Sequence, residues 1–205
     1  INTNTLKFEE EETKEITIKV ESLDGSINEY NVFIDRRKSK ITGKVITQAT
    51  NQENQTATIT LYRSEDTRNE NDELDPREKV QEVTINPDGT YVLSLLNGTY
   101  DLVITKPGYL EYRIVNIELT ENIELEDINI YAGDVVETGE IEIDDLVSLN
   151  DHIGLDVTDE ENAKYDLNED GVIDKLDRDI LKANYTKMAE VVEYVKPETG
   201  LTTYE

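Results

Sequence analysis

Asp166, Asn168, Asp170, Asp174 and Asp177 fall at positions 1, 3, 5, 9 and 12 of the segment DLNEDGVIDKLD, and Gly171 falls at position 6. Oxygen donors at alternating positions turn inward onto one point, which suits a hard cation that takes six to eight oxygens. Val172 offers its carbonyl, the glycine permits the sharp bend, and Ile173 points back toward a core. Asp177 is shorter than the glutamate more usual at position 12, so the helix start must lie nearer the ion. The spacing predicts a calcium loop. In a chain with 47 acidic residues the ordinary alternative is a solvated acidic turn. The joint fit of donors, glycine, isoleucine and a following helix favours calcium.

A second copy, DVVETGEIEIDD, starts 32 residues upstream. Asp134, Gly139, Ile141 and Asp145 reproduce positions 1, 6, 8 and 12, with Glu140 at position 7 and Glu142 at position 9. Positions 3 and 5 are Val136 and Thr138, which removes one oxygen and one charge. The candidate ligands are therefore Asp134, Thr138, Glu140, Glu142 and Asp145. Calcium here is weakened, completed by water, or replaced by a degenerate structural loop.

Composition narrows the remaining chemistry. Net charge is −27, so a nucleic acid or an anionic membrane surface is repelled. There is no cysteine and a single histidine, His152, which excludes thiol nucleophiles, disulfides, cysteine zinc sites and two-histidine sites. No apolar run approaches the ~18 residues of a membrane span. Paired carboxylates could serve a glycoside hydrolase fragment. Against it stand the lack of a nucleophile motif, no tryptophan and only two phenylalanines to stack on sugar.

The elements that must position the loops come in two styles. Up to Tyr131, apolar and polar residues alternate through ITIKV, YNVFI, ITGKVIT, ATITLY, VQEVTI, TYVLSL, TYDLVIT, YRIVNIEL and IELEDINIY, with turns such as Asn86-Pro87-Asp88-Gly89 and Lys106-Pro107-Gly108 between them. This predicts an all-β sandwich. The charged run at 63–79 reads as a solvated loop. Afterwards the apolar period becomes helical over 144–153 and 175–187, including Leu146, Leu149 and Ile153 and then Leu176, Ile180, Leu181 and Tyr185. The expected segments are 1–38, an incomplete two-strand piece; 39–131, the sandwich; 132–190, the loop-helix units; and 191–205, a tail acting as linker or clasp. The chain opens at Ile1 without a signal peptide, consistent with a mature or excised segment.

Two loop-then-helix units ending in aspartate resemble a dockerin, the calcium-binding module that plugs into cohesins in cellulosomes. The run NPDGTYVLSLLNGTYDLVITKPGYLEYRIVNIEL leading into NIYAGDVVETGEI is similar to the immunoglobulin-like X module that precedes type II dockerins. ITIKVESLDGSINEYNVFIDRR resembles the last two strands of a cadherin-like sandwich. The resemblance implies an all-β immunoglobulin-like sandwich followed by a small α-helical dockerin with two calcium loop-helix units. Its function would be non-catalytic, calcium-dependent binding of a cohesin that anchors a secreted or cell-surface parent protein. Loop positions 10 and 11 are Ile143-Asp144 and Lys175-Leu176 rather than Ser-Thr, which implies a type II-like specificity. Cohesin contact would fall on Ile143, Asp144, Val147, Ser148, Asp151, His152 and Leu155 in the first unit. In the second it would fall on Lys175, Leu176, Asp179, Ile180, Ala183, Asn184 and Lys187, while Leu146, Leu149 and Ile153 would face inward with Ile173, Leu181 and Tyr185. The alternative is a calcium-stabilised structural or adhesion module.

Overall fold

Alternating strands pair into three sheets in the computed structural model, which describes residues 13–22, 24–35, 37–48, 55–64, 78–159 and 161–196. Strands β1 (Thr13–Glu21) and β2 (Ile27–Asp35) form an antiparallel hairpin in register Ile18↔Tyr30. Next come β3 (Lys38–Ile46), β4 (Thr58–Arg63), β5 (Lys79–Thr84), β6 (Thr90–Leu96), β7 (Gly98–Thr105) and β8 (Tyr112–Leu119). They make two sheets. In one, β3 pairs with β6 and, in parallel, with short β9 (Ile123–Glu124) and β10 (Ile128–Asn129); the other runs β11-β8-β7-β4-β5, where β11 is Glu190–Glu193.

The inward residues of β3, β4, β6, β7 and β8, among them Ile41, Ile59, Leu61, Leu93, Leu102, Ile104, Ile117 and Leu119, are fully buried. Burial on this scale, about 25 cal/mol per Å² of apolar surface, is what holds a disulfide-free sandwich. The expected single strand 123–131 is broken. Ile41 pairs with Ile123 but Val45 pairs with Ile128, so one extra residue separates the two pairings and a bulge splits the strand.

The chain after Tyr131 contains α1 (Ile143–His152), a 3₁₀ turn at 163–165 and α2 (Lys175–Ala183). Here the expected architecture needs correction. Among the described residues the protein is mostly β-sheet with two short helices, and no separate α-helical dockerin follows the sandwich. Leu149, Tyr165, Leu167, Ile173 and Leu181 belong to the same hydrophobic core as the sandwich strands, and β11 returns to pair in parallel with β8, Val192 opposite Ile114. The helical period over 175–187 overstated the second helix. It stops at Ala183: Asn184 N still bonds Ile180 O, but Thr186 takes a left-handed φ of 69° and turns its N–H to Ile141 O.

Part of the charged run (65–77) and of the tail (197–205), with residues 1–12, lie outside the described residues. Among the described residues no helix is long and apolar enough to cross a membrane.

Candidate calcium and docking site

The segment before α2 folds as a tight loop whose carboxylates gather backbone amides. Asp166 accepts from Asp170 N at 3.2 Å and from Gly171 N at 2.9 Å. Gly171 has φ +90°, a left-handed conformation that a side chain would strain. Asp177, fully buried, accepts from Leu167 N at 2.8 Å and Asn168 N at 3.2 Å with one oxygen and from Asp174 N at 2.8 Å with the other. Asp174 in turn caps α2 through Leu176 N at 2.6 Å, so the loop and the helix start are one hydrogen-bonded unit.

The upstream loop repeats this frame with an offset of 32 residues. Asp134 accepts from Thr138 N at 2.9 Å and Gly139 N at 3.0 Å, and Asp145 accepts from Val136 N and Glu142 N, both at 2.9 Å. Glu137 and Glu169 hold matching left-handed φ of 62° and 55°. The two units also lock together reciprocally: Gly154 N donates to Ile173 O and Thr186 N to Ile141 O, each at 2.9 Å. The isoleucines at position 8 are thereby fully buried between the units.

The loops differ in what they could ligate. In the second, Asn168 and Asp170 add side-chain oxygens, and Asn168 donates to Asp170 Oδ2 at 2.9 Å. In the first, Val136 has no oxygen and is exposed, and the Thr138 hydroxyl donates to the Glu140 carbonyl at 3.0 Å. That carbonyl stands at the position where Val172 offers one in the second loop.

Burial pushes the carboxyls of Asp166, Asp177 and Asp134 above the usual range, and neighbouring carboxylates add to it: Asp170 for Asp166, Asp166 for Asp177, Asp145 for Asp134. Buried like charges facing one another are what a cation relieves. No three His, Asp or Glu side chains among the described residues are drawn tightly enough to hold a metal ion. A carboxylate has room for about four partners, so the amide bonds made by Asp166 and Asp177 leave acceptor capacity on both. The first loop has the frame without the full donor set.

The expected partner residues divide into three groups. Ile143, Val147, Leu155 and Leu176 are about half exposed, and Asp144, Asp151, Lys175, Asp179 and Ala183 are exposed beside them. Ser148, His152, Ile180 and Lys187 are half-buried. The His152 ring stacks on Tyr165 at 3.7 Å while its Nδ1 meets Ser148 O at 2.7 Å, and Ser148 Oγ lies 3.0 Å from the Tyr165 hydroxyl. Lys187 sits over the Tyr131 ring at 3.8 Å. Asn184 is buried, contrary to expectation, and donates to the Ala132 carbonyl at 2.7 Å and to Gln48. Of the residues expected to face inward, Leu149, Ile173 and Leu181 are fully buried and Leu146 is partly buried, but Ile153 and Tyr185 are exposed because both lie beyond the helix ends.

Sequence reasoning did not single out the residues by which the sandwich grips the loops. Tyr109 donates its hydroxyl to Leu167 O at 2.7 Å, and Lys106, almost fully buried, bonds Thr56 O at 2.7 Å and forms an ion pair with Glu169. The Lys106-Pro107-Gly108 turn signalled only a change of direction; its long-range partners have no local signature.

No family model matches the chain, and a search of curated proteins finds no match. Solved structures do. The chain is similar to a chain of a type II cohesin–X–dockerin complex from Acetivibrio cellulolyticus carrying an N-terminal interface mutation. The identity is 23% and the TM-score 0.54, with 74% of this chain and 97% of that one covered. A C-terminal interface mutant of the same complex gives 24% identity and a TM-score of 0.50 over the same shares. At this distance the likeness establishes a shared fold: the protein has the fold of a chain from these cohesin–X–dockerin complexes.

Proposed function

We propose that this chain is a non-catalytic, calcium-dependent protein–protein interaction module that binds a cohesin, type II-like in specificity, and so anchors a secreted parent protein in a cellulosome or at a cell surface. The observation that carries the reading is the doubled loop frame, which fixes two helix starts and leaves Ile143, Val147, Leu155 and Leu176 exposed beside them. Exposed apolar side chains together with exposed Asp144, Asp151, Lys175 and Asp179 offer both the apolar and the polar contacts of a specific interface. The fold shared with cohesin–X–dockerin complexes supports the choice of partner.

Asp166, Asn168, Asp170, Asp174, Asp177 and the Val172 carbonyl would hold one calcium. When bound, the ion supplies positive charge that offsets the repulsion among these carboxylates. The chain's own residues do the rest: Asp177 ties the loop entry to the start of α2, and Asp174 caps that helix. In the first loop the Thr138–Glu140 bond closes the frame from within, so it is read as a hydrogen-bonded scaffold.

Calorimetric titration of the chain against a panel of type I and type II cohesins, with calcium and with chelator, tests the reading. Binding to a type II cohesin that chelator abolishes is expected; binding to no cohesin, or binding indifferent to chelator, would refute it. A second reading, a calcium-stabilised structural or adhesion module, is favoured by the bonds from the loop-helix units to the chain's own sandwich through Tyr109, Lys106, Asn184 and β11. It predicts the calcium-dependent melting without any cohesin binding.

A further inference from the structure

We propose that the sandwich turn at residues 106–109 is a positioning device that presets the first half of the 166–177 loop and thereby sets its calcium affinity. The inference rests on reading that loop as a calcium site, and deepens it by assigning part of the affinity to residues of another element.

Three contacts from one turn fall on one short stretch. Gly108 packs so closely under the 3₁₀ turn that a Cβ there would lie 2.2 Å from Lys164 O, and its φ of +76° also favours glycine. The Tyr109 hydroxyl donates to Leu167 O at 2.7 Å. Lys106 pairs with Glu169 while its Nζ is pinned to Thr56 O at 2.7 Å. The contacts therefore grip residues 164, 167 and 169, and the two ligand positions between them, Asp166 and Asn168, are held from both sides.

The turn itself does not yield. It follows β7, Gly133 N donates to Gly108 O at 2.7 Å, and Leu110 N donates to Tyr131 O at 2.9 Å. Tyr109 is buried, so its hydroxyl cannot turn to bulk water if the loop departs. A loop held in its folded shape before the ion arrives loses less conformational freedom on binding, and that saving appears as affinity. Lys106 is not the residue to test, because its charge holds Glu169 and also repels a cation. Tyr109 carries the positioning effect without charge.

The sandwich supplies a control for loss of a buried hydroxyl. Tyr91 is also a buried tyrosine, and its hydroxyl has no hydrogen-bond partner among the described residues. Y109F and Y91F delete the same atom, but the Tyr109 hydroxyl also bonds Thr47 and the Gln48 backbone, so exchange at the loop amides separates loss of the Leu167 bond from loss of those two.

The test is isothermal titration of calcium into the metal-stripped full chain, alongside amide exchange of Asn168, Asp170 and Gly171 in chelator. Y109F should raise the calcium Kd about three- to tenfold, the worth of one buried hydrogen bond, and speed exchange at those amides. Y91F should change neither. A Y109F affinity within twofold of wild type, or an equal weakening in Y91F, overturns the proposal. The exchange measurement decides the matter if Y109F melts too low for titration: unaltered protection in the loop would sink it. Absence of calcium uptake by the wild-type chain is a different result, which refutes the calcium reading itself and this inference with it.

Discussion

Replacing Asp177 by Asn puts the calcium reading to its hardest test, because the side chain is fully buried and every one of its contacts is known. Its two oxygens accept Leu167 N, Asn168 N and Asp174 N at 2.8, 3.2 and 2.8 Å. An amide keeps one oxygen and turns an NH₂ toward the remaining N–H, leaving one donor unsatisfied at a cost of about 1–3 kcal/mol. Against this, D177N removes a buried negative charge that faces Asp166. In metal-free buffer the two effects oppose each other, and the net change in melting temperature is small.

With calcium the outcome separates. At a hundredfold excess over Kd, an ion bound only to the folded state adds about 2.7 kcal/mol, which at about 2–4 °C per kcal/mol for a chain of this size is a rise of roughly 5–10 °C. D177N loses a ligand and the charge that attracts the ion, so it should gain less than about 2 °C at the same calcium concentration. Differential scanning calorimetry of both proteins, metal-stripped and calcium-loaded, reads this directly. A wild-type Tm indifferent to calcium, or an equal rise in D177N, would refute the reasoning.

Three further outcomes follow from the same geometry. V147D places a charge among the exposed apolar residues of α1; cohesin affinity measured by calorimetry should fall at least about tenfold, as for an interface anchor, while melting stays within about 2 °C, because Val147 is half exposed. The double variant V136N/T138D supplies the missing oxygen and the missing charge and frees the Glu140 carbonyl, so calcium stoichiometry should rise from one to two; unchanged stoichiometry would show that the frame, not the donor set, limits the first loop. The pH dependence should change sign with metal. In metal-stripped protein the raised carboxyls of Asp134, Asp166 and Asp177 bind more protons folded than unfolded, so their contribution is full below the ordinary aspartate range and is lost as pH rises through their folded values. Calcium holds the loop carboxylates ionised, so calcium-bound stability falls as pH drops. The difference between the two Tm–pH curves cancels exposed groups common to both.

The strands of the sandwich were legible because each buries one face: period-two alternation in β3, β6 and β8 places Ile41, Leu93 and Ile117 inside with no knowledge of their partners. The loop frame was legible for a similar reason, since a tight twelve-residue turn is a local object whose carboxylates, glycine and inward isoleucine have fixed offsets. The break between β9 and β10 was not, because a bulge is set by the register of the neighbouring strand. Nor was Asn184, whose polarity and helical position suited an exposed role until Gln48 and the Ala132 carbonyl, far away in sequence, claimed it.

Sequence alone determined the chemistry on offer: hard oxygen donors at coordinating intervals, no thiol, a single imidazole, and a charge that repels polyanions. Tertiary structure decided how the pieces are joined. It merged the loop-helix units into the core of the sandwich, brought β11 back to β8, and set Tyr109 and Lys106 against the loop. The physical reason is range. Coordination spacing and strand alternation are written within a dozen residues, whereas a hydroxyl finding a carbonyl 58 positions away depends on how two packed bodies meet.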